Sequence, residues 1–179
     1  MTKTNTKQLC FNAVMVALFV ALEYVSIEFL NLKITFSGLP IILSSLYFGP
    51  AVGGLVGFLG SGLSQLIIIR YGFGPTTIIW ILPAVLRGVT VGLLNSAFKK
   101  SRKPLVLTTE IIISSIIVTA ANTVAIVADA NFYGYAAPAV LSITTAFRFV
   151  SGVLTAIVFS VIVPAFFKPL DKLLINNRK

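Results

Sequence analysis

Four charged side chains stand well inside apolar runs of sequence, away from the run ends: Glu23, Arg87, Glu110 and Arg148. A charge at the centre of a membrane helix costs at least about 2.5–3.5 kcal/mol on insertion scales, so such a residue faces protein or a cavity. Arg87 lies roughly 15 Å into its run at about 1.5 Å per residue. Arg148 enters the last run from the outside by a similar depth, and Glu23 occupies the outer half of the first. Two chemistries are open. Glu23 pairs with one arginine and holds the bundle together, or at least one arginine faces a cavity and grips an anionic group with its guanidinium fork. Two arginines against one glutamate favour the anion. Glu110 stands about one turn and a half inside its run, near Lys103, and reads as interfacial.

Uncharged polar and aromatic residues gather toward the same outer side. Gln65 and Trp80 lie one turn inside their runs, Asn122 lies deeper, and Tyr71, Asn131, Tyr133 and Tyr135 occupy the outer connections, with Thr144 and Thr145 nearby. Aromatic rings mixed with amides suit a flat heterocycle, which wants stacking and a few placed hydrogen bonds. The same tyrosines and Trp80 also fit an interfacial aromatic belt. Asn122 is either a helix–helix hydrogen bond or a ligand contact. The glycines between Tyr71 and Pro75 suit an outer loop that moves as a lid.

Much chemistry is excluded. The chain has no histidine, which removes imidazole acid–base catalysis and the commonest zinc ligand. Its lone Cys10 permits no intrachain disulfide and no cysteine metal cluster. Five acidic residues, scattered, form no paired-carboxylate or metal motif, and no G-x4-G-K-[ST] loop is present. Neither an enzyme nor a chain with a metal or cofactor of its own is expected.

The elements that must position these residues follow from composition. Hydrophobic residues make up 57% and charged residues 11%, against about 45–50% and roughly 25% in soluble domains. Such a chain cannot cover a water-facing surface, so it is an integral membrane protein. Six apolar runs are readable, at 9–30, 34–48, 51–69, 77–98, 105–129 and 139–167; the second is short for a full crossing. Gly49-Pro50, Tyr71 to Pro75 and Asn131 to Pro138 separate them. Lys3 and Lys7, the group Lys99, Lys100, Arg102 and Lys103, and the group Lys168, Lys172, Arg178 and Lys179 all fall on one side of six crossings. The positive-inside rule makes that side cytoplasmic. The expectation is an all-α integral membrane protein, one membrane domain over 1–179, built as a six-transmembrane-helix bundle with both termini cytoplasmic. The net charge of +9 is then a topology signal, not a nucleic-acid footprint. The first run continues too long for a cleavable signal peptide.

Small residues recur at intervals of four: Ala13, Ala17 and Ala21; Gly53, Gly57 and Ser61; Gly88, Gly92 and Ser96. Each set lies on one helix face and lets another helix approach closely. Internal packing accounts for any of them. The alanine stripe differs in its company, because it occupies the cytoplasmic half of a helix whose outer half carries Glu23, Tyr24 and Glu28.

This arrangement resembles the substrate-binding S component of an energy-coupling factor (ECF) vitamin transporter. The resemblance rests on Ala13-x3-Ala17-x3-Ala21, on Leu39-Pro40 with Tyr47 through Gly54, and on Trp80-Ile81-Leu82-Pro83 leading to Arg87-Gly88-x3-Gly92-Leu93. It implies a vitamin-like ligand captured at the outer face of a prokaryotic cytoplasmic membrane. It also implies that the alanine stripe docks a membrane-embedded T component, that two ATPase subunits supply the work of ATP, and that the loaded subunit topples to release its cargo inside. Glu23, Gln65, Trp80, Arg87, Asn122, Tyr133 and Arg148 are the candidate ligand-binding residues. The alternative is a stand-alone ion-coupled secondary transporter, or one protomer of a small channel, with Glu23, Arg87 and Arg148 along an ion path.

Overall fold

The computed structural model describes residues 6–29, 32–67, 74–134 and 138–174. In chain order these form α1 (Thr6–Tyr24), β1 (Ser26–Phe29), β2 (Leu32–Thr35), α2 (Gly38–Phe48), α3 (Pro50–Ile67), α4 (Thr77–Ala97), α5 (Pro104–Tyr133) and α6 (Pro138–Leu174). The molecule is nearly all helical. Every helix but α2 is long and apolar enough to cross a membrane; α2, at 11 residues, reaches only about 16 Å at 1.5 Å per residue.

Proline opens α3, α5 and α6, where the missing N–H would have had no helical acceptor. Glycine closes two helices. Gly49 ends α2 at φ 93° and ψ −178°, a conformation essentially closed to residues with a Cβ. Gly134 caps α5 at φ 74° and ψ 18°, its N–H donating to Ala130 O.

The first expected run, 9–30, is not one helix. It stops at Tyr24, and Ser26–Phe29 pair antiparallel with Leu32–Thr35, Ser26 opposite Thr35 and Phe29 opposite Leu32. Residues 34 and 35, expected to open the second helix, belong to this hairpin. An apolar run by itself does not separate strand from helix, and the Ile and Thr content here suits a strand. At the other end α5 runs past 129 to Tyr133 and α6 past 167 to Leu174.

The glycine stripes are internal seams. A Cβ on Gly57 would stand 2.4 Å from Ala84 O, one on Gly88 2.3 Å from the Gly53 carbonyl, and one on Gly92 2.4 Å from Pro50. The α3 and α4 backbones therefore touch. Ser45 Oγ, fully buried, lies 2.9 Å from Gly88 O and ties α2 to α4. Below the seam, Leu39, Ile42, Leu43, Val91, Ile111, Phe159 and Val163 join α2, α4, α5 and α6 in one apolar cluster. Ala13, Ala17 and Ala21 are exposed instead, while Met15, Val16 and Phe19 turn α1 inward.

Glu110 is packed inside the bundle and not on its surface. It is fully buried, and neither carboxyl oxygen has a hydrogen-bond partner among the described residues. It shares the packed face of α5 with Leu107, Ile111 and Ser114, a face that a helix apolar all round does not announce.

The described parts of the three basic segments share one end. Asp171 near the end of α6 pairs with Arg102 in the α4–α5 turn and accepts a 2.8 Å hydrogen bond from Tyr47 of α2. The Arg102 guanidinium also lies 5.2 Å from the Tyr47 ring centroid and 5.0 Å from that of Phe167. Phe11, early in α1, meets Phe48 edge to face at 5.4 Å. The start of α1, the α4–α5 turn and the end of α6 are thus together.

Candidate functional site

Opposite the basic end, the helices diverge around a cavity of about 480 Å³. That volume lies within the roughly 300–1,000 Å³ typical of small-molecule sites. Each helix contributes to the wall: Phe19, Glu23 and Tyr24 from α1; Gly38 and Ile41 from α2; Ser61, Ser64 and Gln65 from α3; Trp80, Pro83, Ala84 and Arg87 from α4; Val118, Thr119 and Asn122 from α5; Arg148, Ser151, Gly152 and Thr155 from α6. Thr35 of β2 and Ser37, just before α2, complete it, so the hairpin reaches the cavity edge.

Local sequence explains why the space exists. Pro83 lacks the N–H that would close the α4 ladder onto Ile79, and it faces the cavity within α4. Shortness of α2 leaves its first residues at cavity depth. Gly152 lets α6 close on α5, since a Cβ there would sit 2.4 Å from Thr119 Oγ1.

Arg87 forms the floor. Its guanidinium carbon stands 5.5 Å from the Phe159 ring centroid, a cation–π contact of about 0.5–2 kcal/mol depending on desolvation. Its Nη1 is buried and has no hydrogen-bond partner among the described residues. A Cβ on Gly38 would lie 2.3 Å from that nitrogen and 2.7 Å from Phe159. Only glycine at 38 leaves the guanidinium where it is. Ser64 Oγ, on the α3 wall, is likewise buried without a hydrogen-bond partner among the described residues.

Six of the seven candidates, Glu23, Gln65, Trp80, Arg87, Asn122 and Arg148, stand together on this wall. Tyr133 does not. It sits 11 residues beyond Asn122 on the same helix, roughly 16 Å further at 1.5 Å per residue, and is 52% exposed. Its hydroxyl instead lies against Gly74, where a Cβ would meet it at 2.3 Å. The cause is the unbroken α5, which carries the tyrosine past the wall. Asn131 is exposed and outside the lining. Tyr71, Tyr135 and the side chain of Thr144 lie outside the described residues, as does most of the expected lid at 71–74. Sequence reasoning missed Ser37 and Gly38, though Ser37-Gly38-x-Pro40 carries a turn-and-helix-start signature. It also missed Ser64 and Thr155, for which a membrane helix rich in small residues gives no signal.

Residues 3–172 match the family described as ECF-type riboflavin transporter, S component. No curated protein sequence matches. Among solved structures, the S component of a bacterial ECF transporter is 22% identical with a TM-score of 0.68, over 95% of this chain and 98% of that one. ThiT from Listeria monocytogenes is 20% identical with a TM-score of 0.71, over 93% of this chain and 96% of that one. Both share the fold.

Proposed function

The chain belongs to the ECF-type riboflavin transporter S component family, and on that premise we propose that it captures a flat, flavin-like vitamin from the outer side of the membrane. It is a multi-pass membrane protein and a substrate-binding subunit of a transporter, not an enzyme. The observation that carries the ligand reading is the cavity: Trp80 and Tyr24 offer ring faces, while Gln65, Asn122, Glu23 and the two arginines offer donors and acceptors around one space. The basic end marks the cytoplasmic side, so the cavity faces outward in the prokaryotic cytoplasmic membrane.

Delivery belongs to partners. The exposed Ala13, Ala17 and Ala21 form a flat flank on α1 against which a T component docks, and two ATPase subunits supply the work. No P-loop occurs in this chain. An ion-coupled carrier acting alone is the weaker reading, because the family is one of transporter S components.

The test is direct. Purified chain in lipid nanodiscs is titrated into riboflavin while flavin fluorescence is followed. Saturable quenching at one flavin per chain is expected. Absence of quenching, together with a different metabolite seen by native mass spectrometry, overturns the flavin assignment. Uptake by the chain alone in proteoliposomes overturns the division of labour.

A further inference from the structure

Within the proposed capture site, whose reading this inference rests on, the floor differs from the walls. A guanidinium has donors and no acceptors, and the Arg87 Nη1 is buried with no hydrogen-bond partner among the described residues. The ring of Phe159 lies under the cation but accepts no conventional hydrogen bond. Gly38, pressed against the same nitrogen, is the first residue of α2. The positive end of that helix dipole therefore adds to the charge already there. No side-chain oxygen caps the helix at Ser37, which is itself 5% exposed and part of the lining. Over the whole cavity, the lining holds two guanidinium groups and one carboxylate, Glu23, a formal excess of one positive charge.

We propose that the floor of the cavity is an anion subsite, and that the preferred cargo carries an acidic group, a phosphate monoester or a carboxylate, seated on Arg87. Such a group offers acceptors to the part of the guanidinium that lines the cavity, and a charge-assisted bond there is stronger than a neutral one. Glu23 is the one carboxylate among the described lining residues and its charge reaches Arg87, so an acid on the cargo adds a second negative group beside the guanidinium.

Three flavins differing only at the end of the side chain separate the possibilities: a neutral ribityl chain, its 5′-phosphate, and a flavin ending in a carboxylate. Each is titrated against wild-type chain in nanodiscs of neutral lipid. At least one acid-bearing flavin is expected to bind tenfold or more tightly than the neutral one, and which of the two does so identifies the group. Arg87→Gln is expected to cost that flavin at least tenfold more than it costs the neutral one. Equal or tighter binding of the neutral flavin by wild type overturns the anion subsite while leaving the capture reading intact, and needs no variant to fold. Failure of all three to bind overturns the flavin reading and this inference together. Equal loss for acidic and neutral flavins in Arg87→Gln, with folding verified by unchanged circular dichroism, also overturns it.

Discussion

Single residues carry most of the chemistry, and two of them carry opposite lessons. Arg87 was legible because an arginine in an apolar run has to face something, and it does reach a cavity. Its dependence on Gly38 was not legible, since 49 residues separate them in sequence and nothing local couples them. Gly38→Ala is expected to displace the guanidinium and weaken binding of an acid-bearing flavin about tenfold, a loss in the range of overpacking costs of about 1–3 kcal/mol; fluorescence titration checks it. Glu110 misleads in the other direction. Lys103, seven residues earlier in sequence, suggests an interface, yet both Glu110 oxygens are buried without hydrogen-bond partners among the described residues. Apolar replacement of unsatisfied polar atoms is neutral or stabilising. Glu110→Met is therefore expected to leave Tm unchanged or raised, while Leu107→Ala on the same face costs about 2–5 kcal/mol; thermal unfolding in one detergent compares them. A marked fall in Tm for Glu110→Met would show that the carboxyl has a structural task.

At the level of elements, three stripes with the same four-residue spacing have two different fates. The glycine stripes of α3 and α4 face each other with no room for a methyl group, whereas the alanines of α1 are exposed. Spacing shows that a face is smooth but not which neighbour it meets. That depends on how the helices pair, which one chain's periodicity does not encode. Gly57→Ala and Gly88→Ala are each expected to destabilise by about 1–3 kcal/mol through overpacking, read as a lower Tm. Ala17→Trp is expected to leave Tm and ligand binding within error and to abolish uptake and assembly with the proposed T component, assayed by co-purification. Loss of binding in the isolated Ala17→Trp chain would place that face inside the fold. The hairpin was illegible for another reason: Ser26 to Leu30 extends α1 on paper and Ile34 and Thr35 open α2, and only the pairing of the two segments reveals strands. Helix starts were readable to within a residue at Pro50 and Pro104, whereas the end of α5 at Gly134 was not, because the apolar run stops at 129.

For the whole molecule, charge placement and cavity placement agree. Arg102 and Asp171 join the basic segments at one end, and the cavity opens toward the other. In a Cys10→Ser background, a cysteine at Val25, 60% exposed beside the cavity end of α1, is expected to react with an impermeant maleimide on intact cells. A cysteine at Ser101 in the α4–α5 turn is expected to react only after permeabilisation. The reverse pattern would invert the molecule.

The last helix deserves a mechanical reading. At 37 residues α6 runs about 56 Å at 1.5 Å per residue, well beyond a hydrocarbon slab of about 30 Å. Pro164 and Pro169 interrupt its ladder, freeing the carbonyls of residues 160 and 165 from their usual donors. Among the described residues, those of α6 that touch the cavity, Arg148 to Thr155, precede both interruptions. The helix therefore keeps its full ladder beside the cavity and loses backbone hydrogen bonds only toward the basic end, so bending of its inner tail is concentrated in turns that lie beyond the cavity wall.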